Sequence, residues 1–225
     1  MSPYLVEPTD ARPAVNRWVA WACVSFSLFS LMVIRYVVRA ITPEPGVGLV
    51  LAREACMFAS AGVLAWIVRR KLKVGARAIG IGTYPLWKSL FWGAVIAIAC
   101  MAPALLIAKL TGYGHGAASH AFARLPVWLI FLVVVRSGVV EELLYRGYAI
   151  HLLETLGVGR TAAWAIPLVI FSVAHWTGGA ANILIALVLG AVLTAFYLWR
   201  RDLVSNMFGH FLVDFVTNVL PALFG

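Results

Sequence analysis

Two adjacent carboxylates at the end of an apolar stretch are the first residues of this chain whose spacing could support chemistry. Glu141 and Glu142 follow apolar sequence that starts near Leu125, and Arg146 comes four residues after Glu142. On a helix, residues four apart lie on one face, so Glu142 and Arg146 are expected to form an ion pair. Glu141 points about 100° away and is not committed to that pair.

Two histidines in later apolar stretches add to this set. His175 closes a run that includes Phe171, and His210 precedes Asp214 by four residues, which places an imidazole and a carboxylate on one helix face. Each histidine alone is explained by an interhelical hydrogen bond, and His210 with Asp214 by a satisfied buried pair. Ionisable groups inside membrane helices are costly and mark function, so the four groups together predict one shared polar site.

The composition requires a lipid bilayer around these residues. The 225 residues are 63% hydrophobic and 12% charged, with a net charge of +9. Soluble domains are about 45–50% apolar and about 25% charged, which excludes a soluble enzyme, a disordered tail and a DNA-binding domain. The basic excess indicates membrane topology and contact with anionic lipid headgroups, and no nucleic-acid partner. Cys23, Cys56 and Cys100 lie in apolar runs, and indicate neither disulfides nor a cysteine zinc site.

Seven apolar runs approach the roughly 20 residues that a transmembrane helix needs. They are 16–38, 47–68, 86–110, 126–152, 160–177, 180–199 and 203–223. The predicted fold is an all-α, polytopic transmembrane bundle of about seven spans, with a polar cavity among the last four helices.

The distribution of lysine and arginine predicts the orientation. A cytoplasmic N-terminus places twelve basic residues inside and five outside, which favours that orientation for this multi-pass protein. The site is expected to open to the cytoplasmic side. Arg35, Arg53 and Glu54, near the outer ends of the first two spans, are attributed to snorkelling. Arg136 is assigned either to the site or to snorkelling.

Three motifs, each on its own predicted span, give the chain a family resemblance. Glu141-Glu142-Leu-Leu-Tyr-Arg146 resembles the EExxxR motif of the CAAX-protease and bacteriocin-processing intramembrane proteases, including the type II CAAX prenyl endopeptidases. Phe171-Ser-Val-Ala-His175 resembles their FxxxH motif, and His210-Phe-Leu-Val-Asp214 their HxxxN/D motif. The resemblance covers roughly residues 126–220, the predicted catalytic core of a single integral membrane domain, 1–225.

The resemblance implies roles for these residues. Glu141 and His175 would activate the attacking water, and His210 and Asp214 would stabilise the oxyanion or the geometry, with Glu142 and Arg146 in support. Members that process prenylated proteins carry Asn where this chain has Asp214. An ionised carboxylate cannot donate a hydrogen bond. Asp214 therefore orients His210, is protonated, or marks a branch with another substrate.

The predicted function is an intramembrane endopeptidase that acts on membrane-associated peptides or proteins, with prenylation of the substrate left open. No cofactor is expected. Zinc is the alternative, because His175, His210 and a carboxylate could supply three ligands, although the HExxH spacing is absent. The alternative from another class is a non-catalytic membrane protein, either a transporter or a scaffold for bacteriocin self-immunity.

Overall fold

The computed structural model describes residues 16–42, 46–112 and 124–224, and these residues form helices with no β-strand among them. Helix α1 is Arg17–Ile41, α2 is Val47–Lys71 and α3 is Leu86–Thr111. A short 3₁₀ turn, Ala76–Ile79, lies between α2 and α3. The predicted all-α class is confirmed for the described residues.

Helix α4 is a continuous helical run over 127–155 that changes its hydrogen-bonding pattern along its length. Val127–Arg136 is α-helical, Ser137–Glu141 and Leu143–Ile150 are π-helical, and His151–Thr155 is α-helical again. π-helical turns are rare and occur frequently at functional sites. Both adjacent glutamates therefore lie where the helix departs from regular α geometry.

The last three helices follow short connections. Helix α5 is Arg160–Val173, and the 3₁₀ turn Trp176–Gly178 leads into α6, Gly179–Arg200. Helix α7 is Leu203–Phe224, with a π-helical turn at Phe215–Val219.

Within the described residues, five helices are long and apolar enough to cross a membrane, which makes the chain an integral membrane protein, but the predicted seven spans are not confirmed. The five are α1, α2, α3, α6 and α7, with α6 counted from Trp176. Helix α5 has 14 residues, which reach about 21 Å, short of the roughly 30 Å hydrocarbon core. Helix α4 is long enough, but four charged residues interrupt its apolar stretch between positions 136 and 146.

Helix α4 lies at the centre of the bundle. Helices α1, α2, α5 and α7 pack against it, and α3 packs on α6 and α7. From Leu144 to Ile150 every side chain of α4 is buried. Large apolar side chains such as Phe91, Ile98 and Leu110 are instead exposed on the outside, as expected for helices in contact with lipid.

Contacts between helix ends define the two ends of the bundle. Arg17 at the start of α1 donates to the carbonyl of Leu156, just after α4, at 3.5 Å. Arg201, just after α6, binds Glu154 at 2.6 Å. We call this the Arg17 end, and the opposite end, where α1 stops at Thr42, the Thr42 end.

Candidate active site

Glu141 is buried and binds two arginines through one of its oxygens. Its Oε1 accepts a hydrogen bond from Nη2 of Arg35 at 2.8 Å and another from Nη1 of Arg136. Its Oε2 is buried and has no hydrogen-bond partner. Glu141 stays outside the Glu142–Arg146 pair, as predicted, but two other arginines bind it, which its spacing from Arg146 did not predict. Arg136 reaches it because a π-helical turn places residues five apart on one face, and Arg35 comes from another helix.

A buried charge network extends from Glu141 to α2. Glu54 is fully buried; its Oε2 accepts from Nε of Arg136 at 2.7 Å, and its Oε1 lies 2.7 Å from Nη2 of Arg53. The order is Arg53, Glu54, Arg136, Glu141 and Arg35, with charges that alternate in sign. Snorkelling is therefore the wrong explanation for Arg35, Arg53 and Glu54, which are members of this network instead. Arg136 was assigned either to the site or to snorkelling, and its contacts with Glu54 and Glu141 place it beside the candidate site residues.

The neighbouring carboxylate, Glu142, belongs to a second network. Its Oε1 accepts from Nη1 of Arg146 at 2.8 Å, so the predicted pair is confirmed. Arg146 is fully buried, donates to the carbonyl of Gly190 at 3.3 Å and lies over the ring of Phe171, 4.3 Å from its centroid. A Cβ at Gly190 would lie 3.1 Å from this guanidinium, so the missing side chain leaves it room.

His210 is oriented mainly by Glu142. Its Nδ1 lies 2.9 Å from Oε1 of Glu142, and its Nε2 lies 3.3 Å from Oγ of Ser137. Oδ2 of Asp214 is 3.7 Å from Nε2, which is too long for a hydrogen bond. Asn206 donates to Oε2 of Glu142 at 3.3 Å and completes this network. Orienting His210 was one of the three roles predicted for Asp214. In the structure Glu142 orients His210 instead.

His175 lies in the turn that follows α5. Its Nδ1 is 2.8 Å from the carbonyl oxygen of Phe171, so this nitrogen is the donor and Nε2 carries the lone pair of the neutral ring. The ring of Phe171 contacts both histidines, with centroid distances of 4.8 Å to His175 and 6.2 Å to His210. The FxxxH spacing thus places a phenylalanine in contact with both predicted catalytic imidazoles.

Close approach of α4 and α7 brings the second network together. A Cβ at Gly138 would lie 2.9 Å from the carbonyl oxygen of Met207 and from Cβ of Phe211. Only glycine permits this separation, since neither a backbone carbonyl nor a β-carbon can rotate away. Ser137, next to this contact, is thereby placed within reach of His210.

A cavity of about 250 Å³ lies at the Thr42 end and reaches the first network. Arg35 and Arg136 line it, but Glu141, His175 and His210 do not. It lies among α1, α2, α4 and the turn before α6, so the predicted polar cavity among the last four helices is not confirmed.

The part of the chain that contains Glu141, Glu142, His175 and His210 matches a known protein family. Residues 123–216 match the family model described as Type II CAAX prenyl endopeptidase Rce1-like. We call residues 123–216 the Rce1-like segment, after the family to which they are similar. Neither a curated protein nor a solved structure matches the chain.

The Rce1-like segment holds only part of the charge networks. It includes both glutamates, both candidate histidines and Asp214, together with Arg136 and Arg146. Arg35, Arg53 and Glu54 lie outside it, on α1 and α2. Sequence reasoning missed these three residues as members of the site, and Ser137 and Asn206 as partners of the second network.

The position of the cavity can be compared with the predicted orientation of the chain in the membrane. The cavity lies at the Thr42 end, whereas Arg17 lies at the other end of α1. A cytoplasmic N-terminus therefore places this opening on the opposite side of the membrane. The two predictions, a cytoplasmic N-terminus and a site that opens to the cytoplasm, cannot both hold through this cavity.

The zinc alternative needs three converging ligands. Over residues 16–42, 46–112 and 124–224, no group of three or more histidine, cysteine, aspartate or glutamate side chains is arranged to hold a metal ion. His210 faces Glu142 through Nδ1, and Nδ1 of His175 faces a backbone carbonyl. This geometry offers no ready ligand set in the Rce1-like segment.

Proposed function

We propose that this chain is an intramembrane endopeptidase that hydrolyses peptide bonds of membrane-associated substrates, with Glu141 as the base that activates water. The observation that carries the proposal is the divided carboxylate of Glu141. Two guanidinium groups hold Oε1, and Oε2 is buried without a partner. A base must be fixed in place and keep one lone pair for the proton that it takes, and this arrangement meets both conditions.

The histidines have complementary tasks in this proposal. Nε2 of His175 carries a lone pair and can accept a hydrogen bond from the attacking water, because Nδ1 donates to the carbonyl of Phe171. His210 faces Glu142 through Nδ1, so a second proton on Nε2 makes this nitrogen a donor for the developing oxyanion. Ser137 Oγ, at 3.3 Å, marks the direction in which that proton points.

Glu141→Gln and Glu54→Gln form a matched test of the base. Both substitutions replace a buried carboxylate that binds Arg136, but only the first removes the proposed base. The purified chain in lipid nanodiscs is given a farnesylated peptide with a C-terminal CAAX sequence, and the same peptide without the prenyl group. We expect Glu141→Gln to lose about 10²–10⁴ in rate, and Glu54→Gln to stay within about tenfold of wild type below its melting temperature.

The same assay separates the alternatives. Equal rates for Glu141→Gln and wild type would remove Glu141 as the base. Stoichiometric zinc in active protein, with activity lost on chelation and restored by zinc, would establish the metal-dependent mechanism instead. A folded protein that cleaves neither peptide would favour the non-catalytic scaffold. Cleavage of only the farnesylated peptide would identify prenylated proteins as the substrate.

A further inference from the structure

The cavity at the Thr42 end is lined by four arginines. Arg35 and Arg39 come from α1, Arg53 from α2 and Arg136 from α4. Three helices therefore direct guanidinium groups toward one space of about 250 Å³.

The positive charge of the cavity exceeds the negative charge around it. The four guanidinium groups have two carboxylate partners among the described residues, Glu54 and Glu141, which leaves two positive charges uncompensated there. Glu44 lies outside the described residues. Arg39 contributes most to the surplus, because its guanidinium lies over the ring of Trp176, 5.6 Å from the centroid, and no carboxylate of the described residues lies within ion-pair distance.

The arginines that already bind carboxylates keep donors for another ligand. A guanidinium group has five N–H donors in a planar fork that fits phosphate and carboxylate oxygens. Arg35 uses Nη2 for Glu141 and Nη1 for the carbonyl of Ala174, and Arg136 uses Nε and Nη1, so each keeps at least one N–H group.

We propose that this cavity binds a phosphate group, supplied either by a lipid headgroup or by free phosphate. Four guanidinium groups that approach from three helices suit a tetrahedral group with four oxygens better than a planar carboxylate with two. The cavity extends from Thr42, where α1 ends, down to Arg35, which is the depth of lipid headgroups.

A smaller adjoining cavity of about 20 Å³, room for about one water molecule, lies beside the arginines. It shares Arg35 and Arg39 with the first cavity and is also lined by Met32, Tyr36 and Trp176. Tyr36 and Trp176 are exposed on the outside of the bundle. Aromatic and thioether side chains beside a phosphate site are suited to the glycerol and upper acyl region of a phospholipid.

Titration calorimetry on the full chain in detergent, at constant ionic strength in chloride, tests the site without any peptidase assay. The probes are inorganic phosphate, the soluble phospholipid dihexanoyl phosphatidylglycerol, and acetate. We expect a phosphate-bearing probe to bind and acetate to bind at least about tenfold more weakly. Phospholipid binding that inorganic phosphate displaces identifies a headgroup site, whereas binding of inorganic phosphate alone identifies a site for the free ion.

Arg39→Gln is the variant of choice, because Arg39 is exposed and contacts neither Glu141 nor Glu54. It should weaken binding at least about tenfold, as the loss of one charge-assisted hydrogen bond does, and Arg39→Lys should restore most of the affinity. Lys109→Gln removes one exposed charge at the same end of the bundle, away from the cavity, and should change nothing. Unchanged binding by Arg39→Gln, equal losses in both variants, acetate binding as tight as phosphate, or no binding of either phosphate probe would each overturn the proposal.

Discussion

Glu54 is the one acidic residue of α2, and we expect its neutralisation to destabilise the fold strongly. It is fully buried and accepts charge-assisted hydrogen bonds from Arg53 and Arg136. Hydrogen bonds to charged groups contribute about 1.5–3 kcal/mol each. The side chain of Arg53 is 20% exposed and can partly rehydrate, whereas that of Arg136 is 4% exposed and cannot. We therefore expect Glu54→Gln to cost about 3 kcal/mol, and Glu54→Ala up to about 5 kcal/mol, since it leaves both charges unpaired.

The matched control is Glu154→Gln at the Arg17 end. Glu154 also binds an arginine through two hydrogen bonds, but its side chain is 31% exposed and that of Arg201 is 42% exposed. An exposed pair contributes about 1 kcal/mol at most. Because a domain of this size loses about 2–4 °C per kcal/mol, we expect Glu54→Gln to lower the melting temperature by about 6–12 °C and Glu154→Gln by at most about 4 °C.

Thermal melts of purified protein in one detergent, followed by far-UV circular dichroism, measure both variants under the same conditions. Equal shifts for Glu54→Gln and Glu154→Gln would refute the reasoning, because burial would then make no difference to the cost of losing a carboxylate. A shift for Glu54→Gln that disappears at high salt would refute it as well, since salt screens exposed pairs far more than buried ones.

Gly138→Ala should destabilise the fold by about 1–3 kcal/mol, because the new Cβ would meet the backbone of α7 at 2.9 Å. Gly62→Ala is the matched control; it has open space around it and should stabilise α2 by up to about 1 kcal/mol, so equal melting temperatures for the two variants would contradict the close approach. Asp214→Asn should leave the turnover number of the proposed peptidase within about tenfold of wild type, because 3.7 Å from His210 is too long for a hydrogen bond. Glu142→Gln should lower the turnover number further, because this substitution weakens the close contact to the ring of His210. A larger loss for Asp214→Asn than for Glu142→Gln would show that Asp214, and not Glu142, orients His210.

Most of the helices could be predicted from apolar sequence, and the exception has a local cause. The predicted runs 47–68, 86–110 and 203–223 correspond to the observed helices Val47–Lys71, Leu86–Thr111 and Leu203–Phe224. The run 160–177 stops early at Val173, because the chain turns at Ala174 and His175 before the glycines that mark the break in the sequence. Hydropathy shows where a segment is apolar, but not where the backbone turns inside it.

The site was predictable only where both partners lie four residues apart on one helix. The pair of Glu142 with Arg146 follows from their spacing, and the structure has it at 2.8 Å. Arg136 and Glu141 are five residues apart, a spacing that pairs only in a π-helical turn, which hydrophobic periodicity does not reveal. Arg35 reaches Glu141 from another helix, and contacts between helices cannot be read from a single sequence.

Glu54 did carry a signal that was missed. The buried residues of α2 are Val50, Glu54, Met57, Ala61, Leu64 and Val68, at alternating spacings of four and three. This is the buried seam of a packed helix, and Glu54 occupies one of its positions. A short carboxylate on such a seam, about 10 Å from the start of α2 at Val47, cannot reach the interface as a long arginine does.

The charge network also has a consequence for how the chain enters the membrane. One of the two arginine partners of Glu54, Arg136, is separated from it by 82 residues. At about 5–20 residues per second, α2 is made about 4–16 s before that partner emerges from the ribosome. A charged residue in an inserting helix costs up to about 2.5–3.5 kcal/mol, the full amount at the helix centre. We therefore expect the α1–α2 hairpin to insert poorly until α4 arrives, and a chain truncated before α4 to be a substrate for membrane quality-control proteases.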